Sequence, residues 1–201
     1  TPEQTVPEHF HLINKFETNA SGKDQEPFDA PLKHFEDHEY SELTLVTFDR
    51  RGLFSMLAGV LAASGLSISG ARIATGPTDI ALGVFRLAHL ERQELILSES
   101  VWNRFYARLG AVLRGEQKAQ ELVEAAKSPA FLRRRKGRGK IDIRIDNATS
   151  PTYTLIDITA FDRVGLLFDV TQSLLELNLS IHLSKITTNV EHVLDVFYVT
   201  D

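Results

Sequence analysis

The chain of 201 residues contains no cysteine, and it has a single methionine and a single tryptophan. The lack of cysteine excludes disulfides and thiolate metal sites and fits a protein of the reducing cytoplasm. No apolar run approaches the roughly 18 residues of a membrane-spanning helix, and no signal-peptide pattern opens the sequence. The net charge of −5 argues against nucleic acid as the main partner. We therefore expect a cytoplasmic protein that binds neither membrane nor nucleic acid.

The bulk composition is that of a globular protein, with 43% apolar and 24% charged residues. The charge is distributed unevenly. Residues 1–42 carry ten acidic side chains and three lysines, whereas residues 132–140 carry six basic side chains and no acidic one. No aromatic residues are interleaved in the basic run for base stacking, so we interpret it as a solvated connector.

The main feature of the sequence is a duplication. The heptapeptide FDRRGLF at 48–54 returns as FDRVGLL at 161–167, which is 113 residues later. Aligned without gaps, segments 42–75 and 155–188 are identical at 11 of 34 positions, namely Phe48, Asp49, Arg50, Gly52, Leu53, Leu61, Leu66, Ser67, Ile68, Ile73 and Thr75. The period is too long for a solenoid, whose repeats have roughly 20–50 residues. The sequence therefore predicts two tandem small domains.

Each copy has the pattern of a strand, a helix and two strands. In the first copy we predict strands around 43–48, 66–74 and 80–87, with helices at 52–64 and 91–114. Isoleucines alternate with charged residues at 141–146, and this strand would complete a βαββαβ unit. In the second copy the predicted elements are 153–161, 165–177, 179–187 and 192–200, after which a last helix and strand are missing.

These elements predict an α+β protein of two tandem ferredoxin-like βαββαβ units, with antiparallel sheets and helices on one face. The predicted domains are an N-terminal helix and linker at 1–40, a first unit at 41–147 and a second at 152–201. The first unit includes the basic connector at about 115–140. The second unit is expected to be truncated at its C-terminus.

The repeated loop connects the end of a strand to the start of a helix. A helix amino end presents unpaired N–H groups and a partial positive charge that attract a carboxylate. Asp49 and Asp162 would accept a hydrogen bond from an ammonium group, and Gly52 and Gly165 allow close backbone approach. The loop could thus hold a zwitterion. The alternative is that each aspartate only caps its helix, and the residues alone leave both interpretations open.

The motif Asp-Arg-x-Gly-Leu between strand and helix resembles the ACT domain, a βαββαβ module that binds amino acids. Two copies at this spacing are similar to the C-terminal tandem ACT-domain region of the bacterial [protein-PII] uridylyltransferase/uridylyl-removing enzymes. The stretches that carry the resemblance are 42–44, 49–54, 71–73, 145–147, 179–182 and 195–201, and it covers roughly residues 41–201. The sequence departs from the family at Arg51 and Val164, where proline is usual.

The resemblance implies a regulatory module that senses glutamine and allosterically controls transfer of UMP to, and its removal from, the PII nitrogen signal protein. The nucleotidyltransferase and phosphodiesterase chemistry of such a parent enzyme, with its divalent metal such as Mg²⁺ and its substrate UTP, would lie outside this chain. No catalytic residue and no metal site is therefore expected here. The implied partners are L-glutamine, the PII protein and a second ACT domain in a homodimer.

The implied effector-binding residues match the family motif in both copies. They are Asp49, Arg50, Gly52, Leu53, Ser67 and Ser69 around the first copy, and Asp162, Arg163, Gly165, Leu166, Ser180 and His182 around the second. The strand residues would close a pocket across the interface of the two copies.

Three other interpretations remain. A ligand-free ACT-type dimerisation or interaction module would use exposed strand edges. An independent enzyme ranks last, because no nucleophile–base pair stands out. His34 and His38, four residues apart, would share a face if helical, but a metal site needs further ligands.

Overall fold

The structure is a computed structural model that describes residues 2–19, 27–89, 95, 97–126, 140–161, 165–189 and 192–201. The helices are α1 Pro2–Asn19, α2 Leu53–Ala63, α3 Glu99–Leu113, α4 Ala119–Ala126 and α5 Leu166–Glu176. The strands are β1 Phe28–Asp29, β2 Leu32–Phe35, β3 Tyr40–Phe48, β4 Leu66–Thr75, β5 Ile80–His89, β6 Asp142–Asp146, β7 Thr154–Phe161, β8 Ser180–Asn189 and β9 His192–Thr200. Among the described helices, none has the length and apolar content needed to cross a membrane.

The duplication appears as two copies of one antiparallel unit. In the first, β5 lies between β3 and β4, and in the second, β9 lies between β7 and β8. Strand alternation sets the faces, because Leu43 and Leu45 of β3 enter the main core with the helices, whereas Val46 contributes to a separate cluster. The prediction of an α+β protein of tandem ferredoxin-like units is confirmed.

The two units form one continuous sheet because β4 pairs with β8. The pairing is antiparallel and places Arg72 opposite Lys185, which stands 113 residues later and is its equivalent in the second copy. The two units are thus related by a pseudo-two-fold axis through this pair. Each strand of the pair carries a bulge at the equivalent place, between Ile68 and Gly70 in β4 and between Ile181 and Leu183 in β8.

The strand predicted at 141–146 exists as β6, but its assignment to the first unit is wrong. It pairs with β7 and thereby opens the second unit, with Ile145 opposite Ile156. The same register recurs 113 residues earlier, where β2 places Leu32 opposite Leu43. The edge next to β3 is already occupied by β1 and β2, so no place is left there for β6. Each copy therefore begins with its edge strand, and the predicted boundaries at 41 and 152 cut these strands off.

One apolar core runs through both units on the helix-bearing face of the sheet. Side chains of α2, α3, α4 and α5 pack there on both sets of strands. Phe54 of α2 lies at the centre, with ring centroids 6.5 Å from Phe85 of β5 and 6.3 Å from Phe197 of β9. The helices of the repeated units thus share one face, as predicted.

The N-terminal helix α1 lies on the opposite face. Phe16 packs with Val46 and Ile80, and its ring centroid is 5.2 Å from that of Phe48. Ion pairs from Lys15 to Asp29 and from Lys33 to Glu8 flank this contact on the surface. The helix covers the first unit only among the residues that the structure describes, and it adds a third layer that the fold prediction lacked.

The turn between β6 and β7 is closed by Asp146. Its carboxylate accepts hydrogen bonds from the Thr149 hydroxyl and from the backbone N–H groups of Ala148 and Thr149. These bonds, that of the Thr149 side chain first, hold the pKa of the Asp146 carboxyl below its ordinary value.

This turn should therefore depend on pH. A carboxyl whose pKa is lowered by folding adds stability above the unfolded pKa of about 3.9, and that stability is lost as the pH falls through the folded pKa. NMR titration should show Asp146 titrating below the ordinary aspartate value, and Thr149→Ala should raise its pKa. Thr152→Ala, in the same loop, is the matched control, and an equal rise in both variants would contradict the assignment.

Candidate functional site

A cavity of about 330 Å³ lies where the two units meet. One wall is the repeated loop of the first unit with the start of α2. The opposite wall comes from the end of α5 and the start of β8 in the second unit. The residues that the argument uses are Asp49, Arg50, Arg51, Gly52 and Leu53 on the first wall and Leu175, Ser180, Ile181 and His182 on the second. The volume is within the range of small-molecule pockets, about 300–1,000 Å³.

Asp49 is held at the end of β3 by its neighbours. Its Oδ2 accepts a hydrogen bond from Thr75 Oγ1 at 2.6 Å, and its Oδ1 accepts one from the backbone N–H of Arg50 at 2.7 Å. Its backbone N–H donates to Asp79 O at 2.7 Å. The interpretation of Asp49 as a simple helix cap is wrong, because the N-cap residue of α2 is Gly52. The exposed Asp49 carboxylate therefore lines the cavity in a defined orientation.

Gly52 forms the turn from the loop into α2. Its φ is +77°, a left-handed conformation that glycine adopts without strain, and no side chain caps the amino end of this helix. Gly165 repeats the arrangement before α5 with a φ of +74°, again without a side-chain cap. A Cβ added at Gly52 would lie 2.8 Å from Leu175 Cδ2 of the second unit. The glycine thus permits both the turn and the close approach of the two units.

The two arginines of the loop make structural contacts. Arg50 Nη1 donates to Leu113 O at 2.6 Å, where the positive charge also suits the carboxyl end of α3. Arg51 donates to Asn178 Oδ1 in the turn after α5 and so connects the units. Arg50, predicted as an effector contact, therefore lines the cavity with its guanidinium directed to α3. This partner could not be seen in the sequence, since Leu113 lies 63 residues away.

The second unit contributes Ser180, Ile181 and His182, as the sequence suggests. His182 occupies the bulge of β8, where its Nε2 lies 2.9 Å from Thr200 Oγ1 and its ring centroid is 5.3 Å from that of Tyr153. The residue is half-buried, so its polar edge is fixed while the cavity remains within reach.

The other predicted site residues belong to the pseudo-symmetric position. Asp162 and Arg163 lie outside the described residues, whereas Gly165 and Leu166 start α5 as expected. Ser67 and Ser69 do not line the described cavity. Ser69 sits in the bulge of β4 and donates to Arg86 O at 3.3 Å. By the repeat, these serines are the equivalents of Ser180 and His182.

Two contributors to the cavity are missed by the sequence reasoning. Thr75 orients Asp49, and Leu175 reaches over from α5. A signal for the threonine exists, because Thr75 is identical to Thr188 in the second copy. No such signal marks Leu175, whose role depends on how the units pack.

The metal alternative receives no support from the geometry. His34 is in β2 and His38 in a 3₁₀ turn, so the shared helix face that the idea requires does not exist. His34 Nδ1 instead lies 2.9 Å from Ser41 Oγ. Within the described ranges, no group of three or more metal-ligating side chains comes together.

The fold and the interface site define a tandem of ACT-type domains. A family model described as ACR9-like, ACT-like domain matches residues 142–200. The match begins with the first residue of β6, in agreement with the place of that strand in the second unit.

The chain is similar over most of its length to bacterial bifunctional uridylyltransferase/uridylyl-removing enzymes, and the resemblance to that family's tandem ACT-domain region is confirmed. It is 35% identical over 179 residues to the enzyme of Azospirillum brasilense, covering 89% of this chain and 19% of the relative. It is 33% identical over 165 residues to that of Rhodospirillum rubrum, covering 80% and 17%. The chain thus spans less than a fifth of the length of these relatives.

Among solved structures, the aspartate kinase from Synechocystis is similar with a TM-score of 0.45 and 14% identity. That likeness covers 81% of this chain and 24% of the kinase chain.

Proposed function

We propose that this chain is the regulatory module of a uridylyltransferase/uridylyl-removing enzyme and that it binds a free amino acid, L-glutamine, in the cavity between its units. Binding would control the transfer of UMP to the PII signal protein and its removal, in the cytoplasm. UTP and a divalent metal such as Mg²⁺ would serve catalytic parts of the parent enzyme. The observation that carries the proposal is the pairing of the Asp49 carboxylate with the uncapped amino end of α2 across one small cavity.

The chemistry of this pair matches both charges of an amino acid. An ammonium group would donate to Asp49, whose carboxylate is already oriented by Thr75. The ligand carboxylate would lie at the start of α2, where backbone N–H groups and the helix dipole favour an anion. Ser180 and His182 would then meet the side-chain amide from the second unit. Because both units supply walls, binding would stabilise their mutual arrangement.

Calorimetric titration with L-glutamine tests this proposal, with D-glutamine and L-glutamate as controls. Asp49→Asn removes the charge but keeps an oxygen that can accept from Thr75, so we expect unchanged thermal unfolding and binding weaker by about 10- to 100-fold. Asp162→Asn, the matched change in the other copy, shows whether one or both units bind.

Two results would contradict the proposal. If Asp49→Asn binds L-glutamine as tightly as the unmodified chain, the carboxylate is not the ammonium acceptor. If no amino acid binds at all, the sensor interpretation fails for this chain, and the ligand-free interaction module takes its place.

A further inference from the structure

The two edges of the sheet differ in how well they are protected. One edge is formed by β1 and β2, which are short, follow Pro27 and are separated by Pro31. Proline has no N–H to offer a neighbouring strand, and broken edge strands discourage pairing. The other edge is β6, whose one strand neighbour among the described residues is β7. Residues 140–150 contain no proline, so the outer edge of β6 is an uninterrupted strand.

The edge strand β6 also carries an exposed apolar stripe. Ile141, Ile143 and Ile145 are 55%, 56% and 65% exposed. Their pairing with β7 places them on the helix-bearing side, since Ile143 is opposite the buried Ile158. The equivalent residues of the first unit, Phe28, Ala30 and Leu32, are packed against the main core. The stripe is therefore specific to the second unit, and such apolar patches mark interaction surfaces.

The other side of β6 carries alternating charges in a self-complementary order. Lys140, Asp142, Arg144 and Asp146 follow each other at every second position. An antiparallel pair of two copies centred on Ile143 would place Asp142 opposite the partner's Arg144, and Lys140 opposite the partner's Asp146. On the apolar side, Ile143 would face itself and Ile141 would face the partner's Ile145. Shifting the centre to 142 or 144 would instead oppose like charges.

We propose that β6 is a homodimer interface, in which two copies of this chain pair antiparallel about Ile143 and extend the sheet through both molecules. Opposite-charge pairs and apolar cross-strand pairs both stabilise adjacent strands, and like charges directly opposite destabilise them. The interface needs no ligand, so it does not depend on the proposed amino-acid site.

Charge variants test the register by sedimentation equilibrium. The chain of 22.5 kDa should associate to twice that mass as its concentration is raised. Arg144→Asp creates two like-charge pairs in each dimer, because the axis repeats every contact, and should raise the dissociation constant about tenfold or more. The double variant Asp142→Arg/Arg144→Asp exchanges the partners and should restore the affinity. Arg104→Asp, the same change on the exposed surface of α3, is the matched control.

Cysteine crosslinking provides a second measurement, with no background because the natural chain lacks cysteine. Ile143→Cys should form an intermolecular disulfide under mild oxidation, since residue 143 faces itself. Ile141→Cys alone should not, but it should crosslink when Ile145→Cys is introduced in the same chain.

Three results would overturn the proposal. The first is a chain that stays monomeric at all concentrations measured. The second is a dimer that Arg144→Asp weakens no more than Arg104→Asp does. The third is efficient self-crosslinking of Ile141→Cys instead of Ile143→Cys, which would show a different register. Circular dichroism of each variant checks that the exposed substitutions leave the fold intact.

Discussion

Replacing Phe54 by alanine should destabilise both units at once, by about 3–5 kcal/mol. Phe54 is 4% exposed in α2, and its ring lies between Phe85 of the first unit and Phe197 of the second, both fully buried. Truncation leaves a cavity that the surrounding strands cannot fill without moving the sheet. For a chain of this length, the melting temperature should fall by about 6–20 °C.

The matched control is Phe48→Ala on the opposite face of the sheet. Phe48 is 43% exposed and contacts Phe16 of α1, so its removal should cost about 1 kcal/mol. Chemical denaturation followed by circular dichroism measures both. We expect one cooperative transition throughout, because the core and the sheet are continuous. Two separate transitions, with only one moved by Phe54→Ala, would show that the units are stabilised independently.

Gly52→Ala should have the second largest effect, a loss of about 2–3 kcal/mol together with weaker ligand binding. One part is backbone strain, because alanine disfavours the left-handed conformation at a φ of +77°. The other part is steric, since the new Cβ would lie 2.8 Å from Leu175 Cδ2. Relief of this contact requires α5 or the Leu175 side chain to move, and both border the cavity.

Gly115→Ala separates the two parts. Gly115 has nearly the same φ, +76°, but an added Cβ would meet nothing within 4 Å. It should therefore show the strain alone, about 1–2 kcal/mol. In a double-mutant cycle, Leu175→Ala should recover part of the loss caused by Gly52→Ala. Equal losses in the two glycine variants would mean that Leu175 moves aside at no cost.

Local features of this chain are readable from its residues. The repeated heptapeptide predicts both copies and the glycine turn before each helix, because the left-handed turn depends on a single residue type. Alternating apolar residues predict the strands, including β6, because side-chain direction alternates along any strand. The bulge that Gly70 suggests is present as well.

The candidate site was partly within reach of the same reasoning. Asp49, Gly52, Ser180 and His182 line one cavity across the units, as the motif and its repeat lead one to expect. Arg50 could not be judged in this way, because its partner is a backbone oxygen at the end of α3. Leu175 was equally invisible, because its place in the cavity comes from the packing of α5 against the loop.

By itself the sequence determined the two copies, most of their helices and strands, and the loop chemistry that faces the cavity. Only the tertiary structure decided which strands become neighbours: β4 with β8 at the pseudo-two-fold axis, and β6 with β7 rather than with β3. The reason is physical. Every strand offers the same backbone donors and acceptors, so its partner is selected by packing between residues far apart in the chain.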